Sequence, residues 1–166
     1  DIKAFGMGIN QKESLAILAQ RLPLDFALVA MPYTLLDQES LHDGMEKCLK
    51  NSTSVIIGAP FASGILATGS GTDSKYGYAT ASEELQSKVR QIENTCNSHK
   101  VSLKAAALQF VLAHPAVVST IPGAISVDQV KENIHSVECK IPETFWRELK
   151  DKGLIVRDAP TPKMKK

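Results

Sequence analysis

Short apolar stretches alternate with amphipathic stretches along the chain, and this pattern predicts strands separated by helices. Four of the stretches are short and continuously apolar, which is typical of strands covered on both faces. These predicted strands occupy residues 2–9, 26–31, 54–59 and 117–121. Their order favours an α/β fold with a parallel sheet and right-handed crossovers. An open four-stranded sheet and part of a barrel fit the pattern equally well.

Polar residues followed three positions later by Glu or Gln mark the start of several predicted helices, because such pairs can cap a helix N-terminus. The pairs are Asn10 and Glu13, Thr80 and Glu83, and Ser126 and Gln129. Apolar residues at helical spacing support each helix. After Ser126 these residues are Val127, Val130, Ile134 and Val137. Further helices are predicted at 40–50, 102–114 and 142–153.

A long glycine-rich connection, residues 61–80, separates the third predicted strand from the following helix. A connection of this length inside a compact domain is usually functional or mobile. It contains Tyr76 and Tyr78. These tyrosines fit two roles, closing over a ligand or lying exposed at a loop tip.

Composition and charge narrow the function classes. The 166 residues are 43% hydrophobic and 22% charged, as in an ordinary globular domain. A net charge of +1 does not indicate binding to nucleic acid or to an anionic membrane. Cys48, Cys96 and Cys139 show no metal-site or disulfide spacing, so we expect reduced thiols and a cytoplasmic location. The histidines show no metal spacing either, and we expect surface or capping roles for them.

Five strings in a fixed order carry a family resemblance. They are GMGIN, YTLLDQ, APFASGILATG, the pair AALQFVLAHP and STIPGA, and DAPTP. These strings resemble the aldo-keto reductase family, and more narrowly its sugar 1-dehydrogenase branch of D-threo-aldose (L-fucose) and pyridoxal 4-dehydrogenases. The resemblance covers essentially the whole chain.

The resemblance implies a TIM (β/α)8 barrel, which takes about 250 residues. This chain matches only the C-terminal half of that barrel, strands five to eight. We therefore expect a partial aldo-keto reductase domain over 1–166, with a loose tail at 157–166. The N-terminal half would carry the family's catalytic Tyr, Lys, Asp and His, and no residue here matches those four. The absence of Met at position 1 agrees with a fragment.

The resemblance also implies positions for a nicotinamide cofactor. Asn10 would hydrogen-bond the nicotinamide carboxamide, or it is simply a helix cap. After the third strand, backbone N–H groups would follow the pyrophosphate, unless this segment is only a flexible loop. Its residues are Ala59, Phe61, Ser63, Gly64 and Leu66.

The end of the fourth strand and the next helix would hold the rest of the cofactor, since a helix N-terminus favours phosphate. The residues are Ile121, Pro122, Gly123, Ala124, Gln129, Glu132 and Asn133, and the last two match an adenine-contacting pair. The alternative is a solvated helix face. Many NADP-using relatives have Lys, Ser or Thr, and Arg where this chain has Gly123, Ala124 and Gln129. We therefore expect NAD rather than NADP.

The function that the resemblance implies is oxidation of an aldose at C1 to a lactone, with this chain as the cofactor-binding half. The alternatives are a generic aldehyde or ketone reductase of the same family and a non-catalytic half-barrel binding module. The expected partners are a small sugar or aldehyde and the N-terminal half of the barrel. Half a barrel leaves two open sheet edges, so we also expect self-association, including two copies that close one barrel.

Overall fold

A computed structural model describes residues 1–71, 74–77 and 79–163. Within them, one parallel sheet has the order β1 (Gly6–Ile9), β2 (Phe26–Val29), β3 (Ser54–Ile57) and β6 (Val117–Thr120). A bulge between Val55 and Ile56 shifts the pairing of β3 with β6. The predicted α/β fold with a parallel sheet is confirmed.

Helices and turns connect these strands. They are α1 (Lys12–Arg21), a π-helical turn (Leu41–Met45) leading into α2 (Glu46–Lys50), α3 (Ile65–Thr68), the hairpin β4 (Lys75–Tyr76) and β5 (Ala79–Thr80), α4 (Glu83–His99), α5 (Leu103–Leu112), α6 (Val127–Glu138) and α7 (Glu143–Asp151). Gly44 lies in the π-helical turn, where an added Cβ would come 2.7 Å from the side chain of Leu15. Glycine therefore allows this turn to pack closely against α1.

Two of the predicted caps are wrong. Asn10 does not cap α1, because Gln11 occupies the N-cap position. The helix starts one residue later, after Gln11. Thr80 pairs with Lys75 in the hairpin and is not available as a cap. Ser82 caps α4 instead, and its Oγ accepts from the Leu85 N–H at 3.2 Å.

Only one face of the sheet is covered, which corrects the expectation of strands buried on both faces. Ile9, Val29 and Ile57 are neighbours across the strands, and all of them are buried. Leu28 and Ile56, on the opposite face, are half-buried. The helices therefore pack on one side, and the other side forms the open inner face of a half barrel.

The first strand was also predicted to be buried, and most of it is not. Ile2 is 89% exposed, Phe5 49% and Met7 38%. The strand itself covers only Gly6–Ile9. The reason is its position, since β1 is the outermost strand of the sheet in the described part of the chain.

An aromatic cluster fills the core beside α5 and α7. Phe110 stacks on Tyr33 with ring centroids 5.5 Å apart, and it lies 6.5 Å from the ring of Trp146. Trp146 in turn meets Phe145 edge-on at 4.9 Å. His114 is buried against Tyr33, and burial lowers its pKa. Its Nδ1 accepts a hydrogen bond from the Ala116 N–H at 3.1 Å, so of the two expected roles, surface or capping, the surface role is wrong. His114 does lie just after the end of α5, where the sequence predicted a helix end.

The YTLLDQ string forms a largely buried, hydrogen-bonded turn. The Thr34 hydroxyl accepts from the N–H groups of Leu36 and Asp37 at 3.2 and 3.1 Å. The Gln38 amide donates to the carbonyl of Thr34 at 2.7 Å, while its oxygen accepts from the N–H of Val156 at 3.2 Å. Gln38 therefore joins this turn to the chain that follows α7.

Part of the segment expected to be a loose tail packs against the domain. Ala159 is buried, and its carbonyl accepts a hydrogen bond from Lys150 Nζ at 2.7 Å. Residues 160–162 are half-buried. Residues 164–166 lie outside the described ranges.

The cysteines differ in burial, and this predicts their reactivity. Burial raises the pKa of Cys48 to about 11 and that of Cys96 to about 12, whereas Cys139 is partly exposed. We expect a disulfide reagent at about pH 8 to modify Cys139 rapidly and the other two only on unfolding. Thiol counting checks this, with Cys139→Ser as the control that abolishes the rapid phase. Rapid modification of two thiols in the folded chain would contradict it.

The same pKa shifts predict a loss of stability at alkaline pH. Both thiols are protonated in either state below about pH 8.5, the pKa of an unfolded cysteine. Above it the unfolded thiols ionise first, so stability falls as the pH rises towards the folded pKa values of about 11 and about 12.

Candidate functional site

The predicted site residues lie where the parallel strands end. Asn10 follows β1, the loop with Ala59 follows β3, and Ile121 follows β6. The carboxyl ends of parallel strands share one edge of a sheet, which is where β/α proteins place their ligands. Asn10 and Ile121 follow the two outermost strands, three strand spacings or about 14 Å apart across the sheet.

An open cleft of about 700 Å³ lies at the ends of β1 and β2. Asn10, Met31, Asp37, Tyr76 and Gly77 contribute to its lining. The exposed Asn10 amide makes no hydrogen bond among those recorded for the described residues, so it is available to a ligand.

The glycine-rich connection closes one side of this cleft. The Tyr76 hydroxyl donates to Asp37 Oδ2 at 3.3 Å, and the Gly77 N–H donates to Ser63 Oγ at 3.0 Å. Burial and the Asp37 carboxylate raise the pKa of Tyr76 to about 12. Tyr76 therefore anchors the loop to the domain. Tyr78 lies outside the described residues.

The base of the same loop is fixed to α4. Glu93 accepts a hydrogen bond from the Ser70 hydroxyl at 2.5 Å and also from the Ser70 N–H. Gly69 has a φ of 87°, and an added Cβ there would meet the Glu93 carboxylate. This anchor carried no recognisable signal in the sequence, because the partners are far apart in the chain.

Strained backbone clusters at the ends of β2 and β3. Met31, Ala62, Ser63 and Gly64 have φ values of 78°, 47°, 60° and 99°. Left-handed conformations of this kind at residues other than glycine cost about 1–3 kcal/mol each and concentrate at functional sites. Ser63 also approaches the Met31 sulfur at 3.8 Å. Sequence patterns do not reveal such conformations, and Met31 was not among the predicted site residues.

The segment expected to follow the pyrophosphate is a compact turn. Its N–H groups at Ala62, Gly64 and Leu66 already donate to carbonyls of Ala59 and Phe61, at 2.9–3.1 Å. Phe61 and Leu66 turn their side chains into the core. The turn therefore presents the Ser63 side chain, while three of its backbone donors are satisfied internally.

The end of β6 is open to solvent. Ile121, Gly123 and Ala124 are exposed, and nothing lies within 4 Å of the Cβ position at Gly123. A groove of about 220 Å³ runs along the start of α6, and its lining includes Pro122, Ala124 and Asn133. A ligand can thus approach the backbone closely at Gly123.

Gln129 is used as a cap at the start of α6. Its N–H donates to Ser126 Oγ at 3.2 Å, and its side-chain oxygen accepts from the Ile125 N–H at 2.9 Å. The Ser126–Gln129 prediction is thus confirmed for the serine, while the glutamine reaches one residue further back than a standard capping box. The arrangement pre-forms the N-terminus of α6 without a positive side chain.

Glu132 and Asn133 lie on different sides of α6. Glu132 forms an ion pair with Lys104 Nζ at 2.6 Å on the outer surface, whereas Asn133 is buried in the groove. The ion pair with Lys104, which fixes the Glu132 side chain, was not predicted from the sequence. Of the two, only Asn133 lines the groove.

Two further observations concern metal ions and membranes. No group of His, Cys, Asp and Glu among the described residues is arranged to hold a metal ion. None of the helices that the structure describes is long and apolar enough to cross a membrane. The structure brings Asn10 and the Ser63 turn towards one cleft, and it keeps the β6 end with Asn133 in a separate groove.

Comparisons with known proteins identify the family. The model of the Aldo/keto reductase family matches residues 1–153. The chain belongs to the aldo/keto reductase family. It is 36% identical over 155 residues to a pyridoxal 4-dehydrogenase of Microbacterium luteolum, covering 93% of this chain and 45% of the relative. It is also 33% identical over 162 residues to a D-threo-aldose 1-dehydrogenase of a Pseudomonas species, covering 97% and 48%.

Solved structures confirm the architecture. An aldo-keto reductase of Bacillus halodurans in its holo form matches with a TM-score of 0.70 and 20% identity. The match covers 98% of this aldo-keto reductase chain and 53% of the other. The chain spans about half the length of the curated relatives it matches. It thus has the fold of half a (β/α)8 barrel. The family to which it belongs consists of oxidoreductases.

Proposed function

We propose that this chain is the cofactor-binding half of an NAD-dependent dehydrogenase that oxidises an aldose at C1 to a lactone. One observation carries the cofactor part: the start of α6 is open at Gly123 and pre-formed by Ser126 and Gln129, with no cationic side chain bonded there. The aldose part rests on the likeness to a protein named as D-threo-aldose 1-dehydrogenase.

The residues present fit a nicotinamide dinucleotide. The partial positive charge at the N-terminus of α6 favours phosphate, and the groove with Asn133 can accept a flat base. Asn10, at the other end of the carboxyl edge, would orient the carboxamide. When bound, the nicotinamide supplies a hydride acceptor, and the hydroxyl proton of the sugar would pass to a tyrosine outside this chain.

The lack of a positive side chain at Gly123, Ala124 and Gln129 favours NAD. The adenosine of NADP carries a phosphate that Arg and Lys bind strongly through charged hydrogen bonds. Here Gly123, Ala124 and Gln129 offer none, and Asp128 places a negative charge in the first turn of α6. We infer that NADP is disfavoured at this position.

Direct binding tests the cofactor proposal. We expect NAD added to the 166-residue chain to shift the amide NMR signals of Asn10, Gly123 and Asn133. ADP-ribose, which lacks the nicotinamide, should shift Gly123 and Asn133 but not Asn10. If saturating NAD shifts none of these signals, the proposal fails.

Gln129→Arg should change the cofactor preference. The new guanidinium can pair with the extra phosphate of NADP, and such a bond corresponds to about a tenfold gain in affinity. Calorimetric titration with both cofactors measures this. Gln129→Leu controls for loss of the contact to Ile125, and Gln91→Arg on exposed α4 controls for added charge. Equal NADP affinity in wild type and Gln129→Arg would contradict the assignment.

A further inference from the structure

A polar cleft of about 560 Å³ lies beside the start of α4, between the turn that contains Leu36 and the chain that follows α7. Its lining includes Leu36, Lys88 and Lys152. No described residue of the lining belongs to β1, β6 or α6, and none is shared with the cleft at the end of β1 or with the groove along α6. This cleft is therefore separate from the sheet edges and from the candidate cofactor site.

The ammonium group of Lys88 has a neutral partner in this cleft. Its Nζ donates to the carbonyl of Leu36 at 2.7 Å. Glu84, one helical turn earlier in α4, also lines the cleft, yet no ion pair joins it to Lys88 in the described part of the chain. Because an ammonium has three N–H donors, the Leu36 contact leaves two of them without a recorded partner among the described residues.

Burial also changes the protonation of this amine. It lowers the pKa of Lys88, and the Asp37 carboxylate opposes that shift only in part. A lower pKa increases the fraction of neutral amine at mildly alkaline pH, and the neutral amine is the nucleophile. Desolvated lysines of this kind are those that form imines with carbonyl compounds in proteins.

The second lysine of the cleft is held differently. Lys152 Nζ forms an ion pair with Glu148 Oε1 at 2.6 Å and donates to the Thr95 hydroxyl at 3.2 Å. A carboxylate partner favours the protonated form of an amine, so this contact keeps Lys152 as an ammonium. Of the two lysines, Lys88 is therefore the better nucleophile.

The cleft also has room and polar groups for a small ligand. Its volume lies within the range of small-molecule sites in proteins. Ser87 and Gln91 contribute to its lining, and no hydrogen bond is recorded for either side chain in the part of the chain that the structure describes. A hydroxyl and an amide without partners suit a ligand that itself carries hydroxyl groups.

We propose that Lys88 captures small hydroxyaldehydes reversibly, as an imine held in this cleft. After the ammonium loses a proton to solvent, the amine nitrogen attacks the aldehyde carbon and forms a C–N bond. The carbonyl oxygen then leaves as water together with the two amine hydrogens. Nothing is oxidised or reduced, and water reverses the reaction. Ser87 and Gln91 hydrogen-bond the hydroxyl of the captured molecule. This capture is independent of the proposed cofactor function.

Reductive trapping on the 166-residue chain tests the proposal. Glycolaldehyde is the probe, cyanoborohydride reduces any imine to a stable secondary amine, and peptide mass mapping locates the label. We expect Lys88 to be the first lysine that is modified at about pH 8, ahead of Lys152 and of the lysines in exposed ion pairs. The N-terminal α-amine is also partly neutral at this pH, so its label is counted separately.

Two variants provide the controls. Lys88→Arg keeps a positive charge and a donor for the Leu36 carbonyl, but its guanidinium stays protonated and forms no imine, so the early label should be lost. Lys152→Arg, in the same cleft, is the matched control and should leave the early label on Lys88 unchanged. Circular dichroism establishes that each variant is folded. In urea the preference for Lys88 should disappear, because the unfolded chain has neither the cleft nor the burial.

Three results would overturn the proposal. One is a label that spreads evenly over the lysines of the folded chain or appears first on Lys152, since the cleft would then give Lys88 no special reactivity. Another is early lysine labelling that persists in Lys88→Arg, which would assign the reaction to a different amine. The third is a preference for Lys88 that survives in urea, since it would come from the local sequence and not from the cleft.

Discussion

The 166-residue chain by itself is expected to produce no measurable NADH from L-fucose or another aldose. Removing a positioned general acid–base costs about 10²–10⁴-fold in rate. No residue of this chain matches the catalytic tetrad of the family. The proposed cofactor surface alone cannot accept the hydroxyl proton that must leave as the hydride is transferred.

In the described part of the chain, Tyr76 is the tyrosine that could be mistaken for a substitute, because it lies in the cleft beside Asn10. Its environment argues against that role. Burial and the neighbouring Asp37 carboxylate raise its pKa to about 12, whereas an efficient acid–base group titrates near the working pH. Its hydroxyl also donates to Asp37, which holds it in a structural contact.

A spectrophotometric assay of NADH formation checks this prediction, with Tyr76→Phe as the matched control. Wild type and control should both show only the uncatalysed background. Turnover by the wild-type chain that disappears in Tyr76→Phe would show instead that Tyr76 moves the proton. Adding a separately produced N-terminal half of a family barrel should be required for activity.

Phe110→Ala is expected to lower the free energy of unfolding by about 3–5 kcal/mol. The Phe110 ring is fully buried between Tyr33 and Trp146, so its removal leaves a cavity and ends both ring contacts. The Tyr33 hydroxyl and the Trp146 N–H, on either side of this ring, are buried with no hydrogen-bond partner in the described part of the chain. The remaining chain is expected to unfold at much lower denaturant.

Urea unfolding followed by circular dichroism measures this change at one fixed protein concentration, because self-association adds to apparent stability. Phe5→Ala is the control, since Phe5 is about half exposed and makes no recorded ring contact. A loss below about 1 kcal/mol in Phe110→Ala would mean that the cluster repacks.

The central strands were predictable because their signals are local. β2, β3 and β6 are apolar runs stopped by polar or turn residues, and each starts where the sequence indicates. The start of α6 could also be predicted, because Ser126 and Gln129, which form its cap, are three residues apart in the sequence. The exposure of Met7 was not readable, because it depends on which strand lies at the sheet edge.

The candidate site was predictable in part for the same reason. Asn10 and Gly123 lie at the carboxyl edge because each comes shortly after a strand of the parallel sheet, whereas Asn133 lies within α6. The tie from Tyr76 to Asp37 and the left-handed Met31 were not readable, since they depend on packing between distant segments. The YTLLDQ string helped to identify the family but is a hydrogen-bonded turn.

The contact between Gln38 and Val156 sets the limit of the folded unit. The family match ends at residue 153, yet Leu154, Ile155 and Ala159 beyond it are buried. A boundary drawn from similarity would expose these side chains and leave the buried Gln38 oxygen without its donor, which costs about 1–3 kcal/mol. The family model therefore stops short of this packed segment. We expect residues up to Ala159 to unfold together with the sheet.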